Sequence, residues 1–355
     1  MAASYRSRFL GIMRQNEREM TRLFSALAAS VAREVTRRAD RDGIVPKSAT
    51  YAIQAEAGAL VMRFFLGLDA NGDRAPFTTL RDGSVFPLSP YSRVLWNQIE
   101  AATRNSVEQQ ANTLRRQLRN APDVIGALQT ARLNPFAEAR RLSEQVVFRP
   151  NPLAQYDPPH LWVDPRGYTL SDRIWRTAGN TRRRLDLFLE QRIAAGDSAL
   201  DIARDAETFL RPNRKLKRTS APYGRDASYD AMRLARTEIT RAAAQASETS
   251  AAMNPFVQGM SVVLSPSHPK YDICDVAAAH GAWPVGEIPA QYQIPLHPHC
   301  LCSYRNEMVD NSQEILDEYR EEIRGTRRTL TAMIGPLQVM RFTHLLLSGL
   351  SVVGG

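Results

Sequence analysis

The chain has 355 residues, with 46 Lys+Arg against 37 Asp+Glu, a formal net charge of +9 and 43% hydrophobic residues. That apolar content supplies a packed core and excludes wholesale disorder, and the length is that of about two domains. Three cysteines are too few, and too odd a number, for a disulfide framework, and no run of about 18 uninterrupted apolar residues marks a spanning helix.

Residues 5–39 read as one long amphipathic helix. Phe9, Ile12, Met13, Met20, Leu23, Phe24, Leu27, Val31 and Val35 recur at three- and four-residue steps with Arg and Glu between them. Asp42-Gly43 and Pro46 stop it. A second helix fits Ser48 to Leu68, with Ser48 as N-cap. Thr78-Thr79-Leu80, Asp82-Gly83 and Val85-Phe86 predict a short hairpin, and another long helix spans 90–120. The Pro-rich stretch 151–160 is a connector. Beyond it helices are expected over 170–195, 198–210 and 227–252, with a basic loop at 211–218 between the last two. Gly259 to Leu264 is strand-like, a Pro/Gly/His/Cys-rich stretch runs to Tyr304, a polar helix fits 312–324, and an apolar tail covers 342–353. The fold expected is mainly α: a long helical N-terminal region, then a small α+β Cys/His module near the C-terminus. The corresponding parts are 1–150, 151–253, 254–310 and 311–355.

Charge is uneven along this plan. Residues 1–150 hold 22 basic and 14 acidic side chains, 151–250 hold 17 and 13, and 251–355 hold 7 and 10. The excess points to a polyanion for the first two-thirds of the chain. Of the basic residues 42 are Arg and only 4 are Lys; Arg forks suit bidentate phosphate contact, although a GC-rich genome produces the same bias. The densest patches are Arg182-Arg183-Arg184 and the loop holding Arg214, Lys215, Lys217 and Arg218. The bland alternative for such runs is a solvated face.

Seven of the nine Cys and His residues fall in the 41 positions from 264 to 304: Cys274, Cys300, Cys302, His268, His280, His297 and His299. Thiolate and imidazole are the ligands zinc prefers, four around a tetrahedron, and a short module with little core of its own gains most from such a clip. Cys274, His297 and Cys300 are the leading ligands, with the fourth from His280, Cys302, His268 or Asp275. The competing reading is of small buried thiols and loop-capping histidines. A second feature is Arg233-Leu-Ala-Arg236-Thr-Glu238-Ile-Thr-Arg241 on a helix. Arg233 and Arg236 share one face there, and Glu238 and Arg241 another.

Ala235-Arg236-Thr237-Glu238-Ile239, an Ala-rich helix, a strand, Cys274, and finally Pro295-Leu-His-Pro-His-Cys-Leu-Cys302 together resemble the phage Mu F-like head morphogenesis family, the minor head proteins of tailed phages. Gly196-Asp-Ser-Ala-Leu-Asp-Ile202 matches the small helix–turn that precedes the Arg-Thr-Glu helix in that family, and the likeness covers roughly 170–305. Two departures stand out: Ala277 occupies the place of the family's second Cys, and Leu301 that of its usual Arg. The resemblance implies a non-enzymatic protein of the capsid interior, made in the host cytoplasm and placed at the portal vertex. It would act in head assembly or genome ejection. Its partners would be the portal protein and viral double-stranded DNA, with scaffold or major capsid protein as further candidates and no membrane span. The basic front fits salt-dependent, sequence-independent phosphate contact, and the long N-terminal helices are natural portal-docking elements unless they pack on one another.

Other signals are weaker. Asp69-Ala-Asn-Gly-Asp73 imitates the start of a calcium loop but lacks the Gly and Glu that such a loop needs, and reads as a turn. No phosphate-binding glycine loop, nucleophile elbow or metalloprotease motif is present. The rival function is a metal-dependent nuclease with His297 or His299 as base, which Asp272 and Asp275 would have to support as acidic ligands.

Overall fold

The structure, a computed structural model, describes residues 5–81, 85–118, 167–210, 227–252, 254, 256–266, 268 and 271–317. It is mostly helical, with a small strand-containing region toward the C-terminus that carries the Cys and His residues. The connector 151–160, the basic loop 211–218 and the apolar tail 342–353 lie outside the described residues. Among the described residues no helix is long and apolar enough to cross a membrane.

The chain forms two compact units, each assembled from several segments. Among the described residues, one holds those within 5–105, 167–245 and 294–302; the other holds those within 106–118, 246–293 and 303–317.

In the first unit, α1 (Tyr5–Thr36) buries Phe9, Met13, Met20, Phe24, Leu27, Val31 and Val35 on one stripe. Each of these side chains contributes about 1.5–3 kcal/mol when fully removed from water. The helix ends before the expected Asp42-Gly43 stop. The Asp40 carboxylate accepts the backbone N–H groups of Asp42 and Ile44 and closes the turn. α2 (Thr50–Phe65) begins later than expected. Ser48 does not cap it, because Lys47–Ala49 form a 3-10 turn and the N-cap residue is Ala49, which has no side-chain acceptor. Two short antiparallel ribbons follow: β1 (Gly67–Leu68) with β2 (Arg74–Ala75), and β3 (Phe77–Thr79) with β4 (Val85–Pro87), the latter pairing Thr78 with Phe86 and Thr79 with Val85 in the expected hairpin. Between β1 and β2, Asp69 Oδ1 accepts from the backbone of Asn71 and Asp73, an Asx-type turn. α3 (Pro90–Leu118) comes next.

α4 (Leu170–Ala195) starts at a capping box in which Thr169 and Asp172 bond reciprocally, and ends at Gly196 with φ 79°. α5 (Ala199–Leu210) starts on Ser198, whose hydroxyl receives the Asp201 N–H while donating to the Asp201 carboxylate. The helix–turn legible in Gly196–Ile202 is this C-cap and N-cap in succession. α1 packs on α2 and α5, α2 on α4, and α4 on α5. An aromatic cluster sits within the unit, with Phe24 4.7 Å from Phe64 and Phe65 4.9 Å from Tyr91 between ring centroids.

α6 (Ala227–Ala252) leads into the second unit. There β5 (Val257–Val263) is the centre of a three-stranded antiparallel sheet, flanked by β6 (Ala282–Pro284) and β7 (Ser303–Met308). Gly259 is required by this pairing: a Cβ there would lie 2.7 Å from the Trp283 carbonyl oxygen. α7 (Ile273–His280) packs on β5 and is started by a second capping box, Asp272 with Asp275. Gln110 and Asn306 exchange amide hydrogen bonds of 2.9 and 2.6 Å. The polar helix expected over 312–324 is described for 312–317.

Candidate metal centre

The capping box of α7 sets the positions of the nearest donors. The Asp272 carboxylate accepts the Cys274 N–H at 2.7 Å, and the Asp275 carboxylate accepts the Asp272 N–H at 2.7 Å. His268 reaches the same turn, its Nε2 lying 2.8 Å from Asp275 Oδ2 and 3.7 Å from Asp272 Oδ1. The Asp272 backbone N–H, and then His268, hold the Asp275 carboxyl below the usual carboxylate range. In the tautomer that carries its proton on Nε2, facing the Asp275 carboxylate, the free lone pair of the ring is on Nδ1. A carboxylate behind a histidine is the arrangement that orients metal ligands and raises their basicity.

Four residues, His268, Asp272, Cys274 and His297, offer ligand atoms that lie within 4.8 Å of one another; the sulfurs of Cys274, Cys300 and Cys302 form a second such group. Zinc bonds of about 2.0–2.3 Å place tetrahedral donors about 3.3–3.8 Å apart, so a small contraction brings such a set onto an ion. The donor chemistry therefore fits a metal ion: two nitrogens, a carboxylate and a thiol in one group, three thiols in the other. All three cysteines are buried, and none is joined in a disulfide. Ala277, which stands where the family has its second Cys, is also fully buried.

Of the seven residues the sequence nominates, Cys274, His297, Cys300, Cys302 and His268 fall in these groups, with Asp275 standing behind His268. His280 does not. It lies at the exposed end of α7, stacked on Trp283 at 4.4 Å, with Tyr292 next to the indole at 5.4 Å. Asp272, treated in sequence only as an acidic ligand for a nuclease, is the residue whose place here was missed; the Asp-x-x-Asp spacing of an N-cap box was the signal for it.

The Arg-Thr-Glu helix is tied to the His-Pro-His-Cys segment directly. Thr237 Oγ1 accepts the backbone N–H of His299 at 3.3 Å, and Thr240 Oγ1 donates to the Cys300 carbonyl at 3.0 Å. His299 takes a left-handed φ of 66° and sets its ring 5.1 Å from that of Tyr229. Glu238, 1% exposed, bonds Arg173 at 2.8 Å and lies 3.5 Å from Arg241. Burial, with Glu238 adding to it, pushes the Tyr91 phenol far above its ordinary value, and its O–H donates to the Ala231 carbonyl at 2.8 Å. Arg236 faces elsewhere, 3.8 Å from Glu17. The sequence pairs Glu238 with Arg241 through helical spacing; its closer partner, Arg173, comes from α4.

The basic triplet on α4 divides. Arg184 pairs with Asp230 at 3.2 Å and lies over Phe209. Arg182 lies 3.6 Å from Asp186 and packs over Gly58, where a Cβ would meet its Nε at 2.8 Å. Arg183 is exposed. Arg214, Lys215, Lys217 and Arg218 lie outside the described residues.

Compared with models of protein families, with curated proteins and with solved structures, the chain matches none.

Proposed function

We propose that this chain is a minor structural protein of a tailed-phage head, of the Mu F-like head morphogenesis kind. In this reading it is not an enzyme. It sits inside the capsid at the portal vertex, binds portal protein and viral double-stranded DNA, and acts in head assembly or genome delivery. The observation that carries the reading is the pair of hydrogen bonds by which Thr237 accepts the His299 N–H and Thr240 donates to the Cys300 carbonyl. The two motifs that resemble the family stand about sixty residues apart, and they meet as parts of one packed element. The buried Glu238–Arg173 pair supports it further, since it gives the glutamate of Arg-Thr-Glu a role in holding helices together.

Zinc is the metal this reading assigns to the Cys/His/Asp cluster, with His268, Asp272, Cys274 and His297 as ligands and Cys300 and Cys302 beside them as further thiols. When bound it would supply a cross-link and no chemistry on a substrate. Burial of Cys274 favours such a closed role.

The cluster also invites the nuclease alternative, because His268 and Asp272 are half-buried near the surface. Incubation of the purified chain with supercoiled plasmid and Mg²⁺, Mn²⁺ or Zn²⁺ decides between them. Intact plasmid is the expected result. Cleavage that disappears on His297→Ala would replace the structural reading with the nuclease.

A further inference from the structure

We infer that the outward side of α4 between Trp175 and Arg183 is a seat for duplex DNA, an inference that rests on the DNA contact proposed above and gives it a place. Ile174, Ala178, Thr181, Leu185 and Leu189 bury the inner stripe of α4, which fixes which side faces solvent. On that side Trp175 is 39% exposed and Arg183 is exposed. Arg176 carries its guanidinium 4.4 Å above the half-exposed Tyr168 ring. A guanidinium held over an aromatic ring keeps its in-plane N–H groups, the donors with which Arg takes phosphate bidentately.

Between these residues lies Gly179, where an added Cβ would meet nothing within 4 Å. The helix surface is therefore low at Gly179, between Trp175 and Arg176 on one side and Arg182 and Arg183 on the other; the exposed Asn180 beside it accepts from Arg183 at 3.5 Å. A backbone of linked phosphates can approach the helix closely across that saddle. Among the described residues neither Arg176 nor Arg183 has a carboxylate at ion-pair distance, while Arg184 and Arg182 are engaged with Asp230 and Asp186. Two guanidiniums without a carboxylate partner among the described residues, about two turns apart on one helix and flanked by an indole that sheds water from the contact, fit a repeating polyanion. Sequence-independent phosphate binding of this kind weakens steeply with salt.

The test is fluorescence anisotropy of the full chain with a short labelled duplex of arbitrary sequence, at low and at physiological salt. Arg176→Ala with Arg183→Ala should weaken binding about tenfold or more and lower the salt slope by about 2. Gly179→Leu keeps every charge yet fills the saddle; it should weaken binding with an unchanged circular dichroism spectrum. Binding should quench tryptophan fluorescence in the parent and not in Trp175→Phe. Arg14→Ala with Arg18→Ala removes the same charge from the exposed side of α1 and should leave binding intact. Equal losses in the two double variants, or parent-like binding by the α4 double variant, would overturn the α4 seat while leaving DNA contact in place. No binding by the parent chain would overturn both.

Discussion

The hydroxyl of Thr240, on α6, donates a hydrogen bond of 3.0 Å to the carbonyl oxygen of Cys300, sixty residues further along the chain. Thr240 is 2% exposed, so the bond is made in a dry environment. Thr240→Val keeps the shape and removes the donor, and should cost about 1–3 kcal/mol in unfolding free energy. Thr240→Ser retains the donor and should lose less. Chemical denaturation of the two variants side by side reads the difference; equal losses would assign the effect to packing and not to the hydrogen bond.

Glu238 and Arg173 form a second long-range link, 2.8 Å apart and both largely buried. Removing one partner strands the other charge, so Glu238→Ala should destabilise the chain by about 3–5 kcal/mol, and the double replacement Arg173→Met with Glu238→Leu should recover most of that. If the double variant is no more stable than Glu238→Ala, the pair is not the source of the loss.

Metal content gives a third expectation. Elemental analysis of purified chain should find close to one zinc per chain, and a strong chelator should lower the melting temperature. Cys274→Ser and His268→Ala should reduce zinc retention, while His280→Ala should not, because the His280 ring is stacked on Trp283. A metal-free chain with an unchanged melting temperature would refute the clip.

Acid stability should depend on Ser261. Its hydroxyl donates to the Glu307 carboxylate at 2.6 Å, and that bond, with help from Arg305, holds the Glu307 carboxyl below the ordinary value of 4.5. A carboxyl depressed in the folded state stabilises the fold above its unfolded pKa, and the contribution is lost as pH falls through the folded value. Ser261→Ala should therefore be less stable by about 1 kcal/mol at neutral pH, with the gap from the parent narrowing below pH 4.5. Denaturation curves from neutral pH to about pH 3 measure it; a gap that stays constant would remove Glu307 from the explanation.

The helices were legible because each packs one stripe: the burial of Phe9, Met13, Met20 and Phe24 on α1 follows the three- and four-residue steps of the sequence. The turn at Gly196–Ile202 was legible through its capping chemistry. Partnerships across the chain were not. Nothing local distinguishes Arg173 from its neighbouring arginines, and Thr237 and Thr240 look like ordinary helix residues until His299 and Cys300 arrive beside them. Composition located the Cys/His cluster but could not choose among histidines. His280 follows Cys274 by six residues, which turns it away from the Cys274 side of α7, while His268 and Asp272 enter from the turn before that helix.

We propose that the chain is a structural component of a phage head near the portal. Phage particles purified from the organism that produces the chain, examined by peptide mass spectrometry together with asymmetric reconstruction of the portal vertex, test it most directly. The account predicts peptides of this chain in the particle and density for it inside the capsid at that vertex. Its absence from mature virions and from procapsids alike would contradict the account.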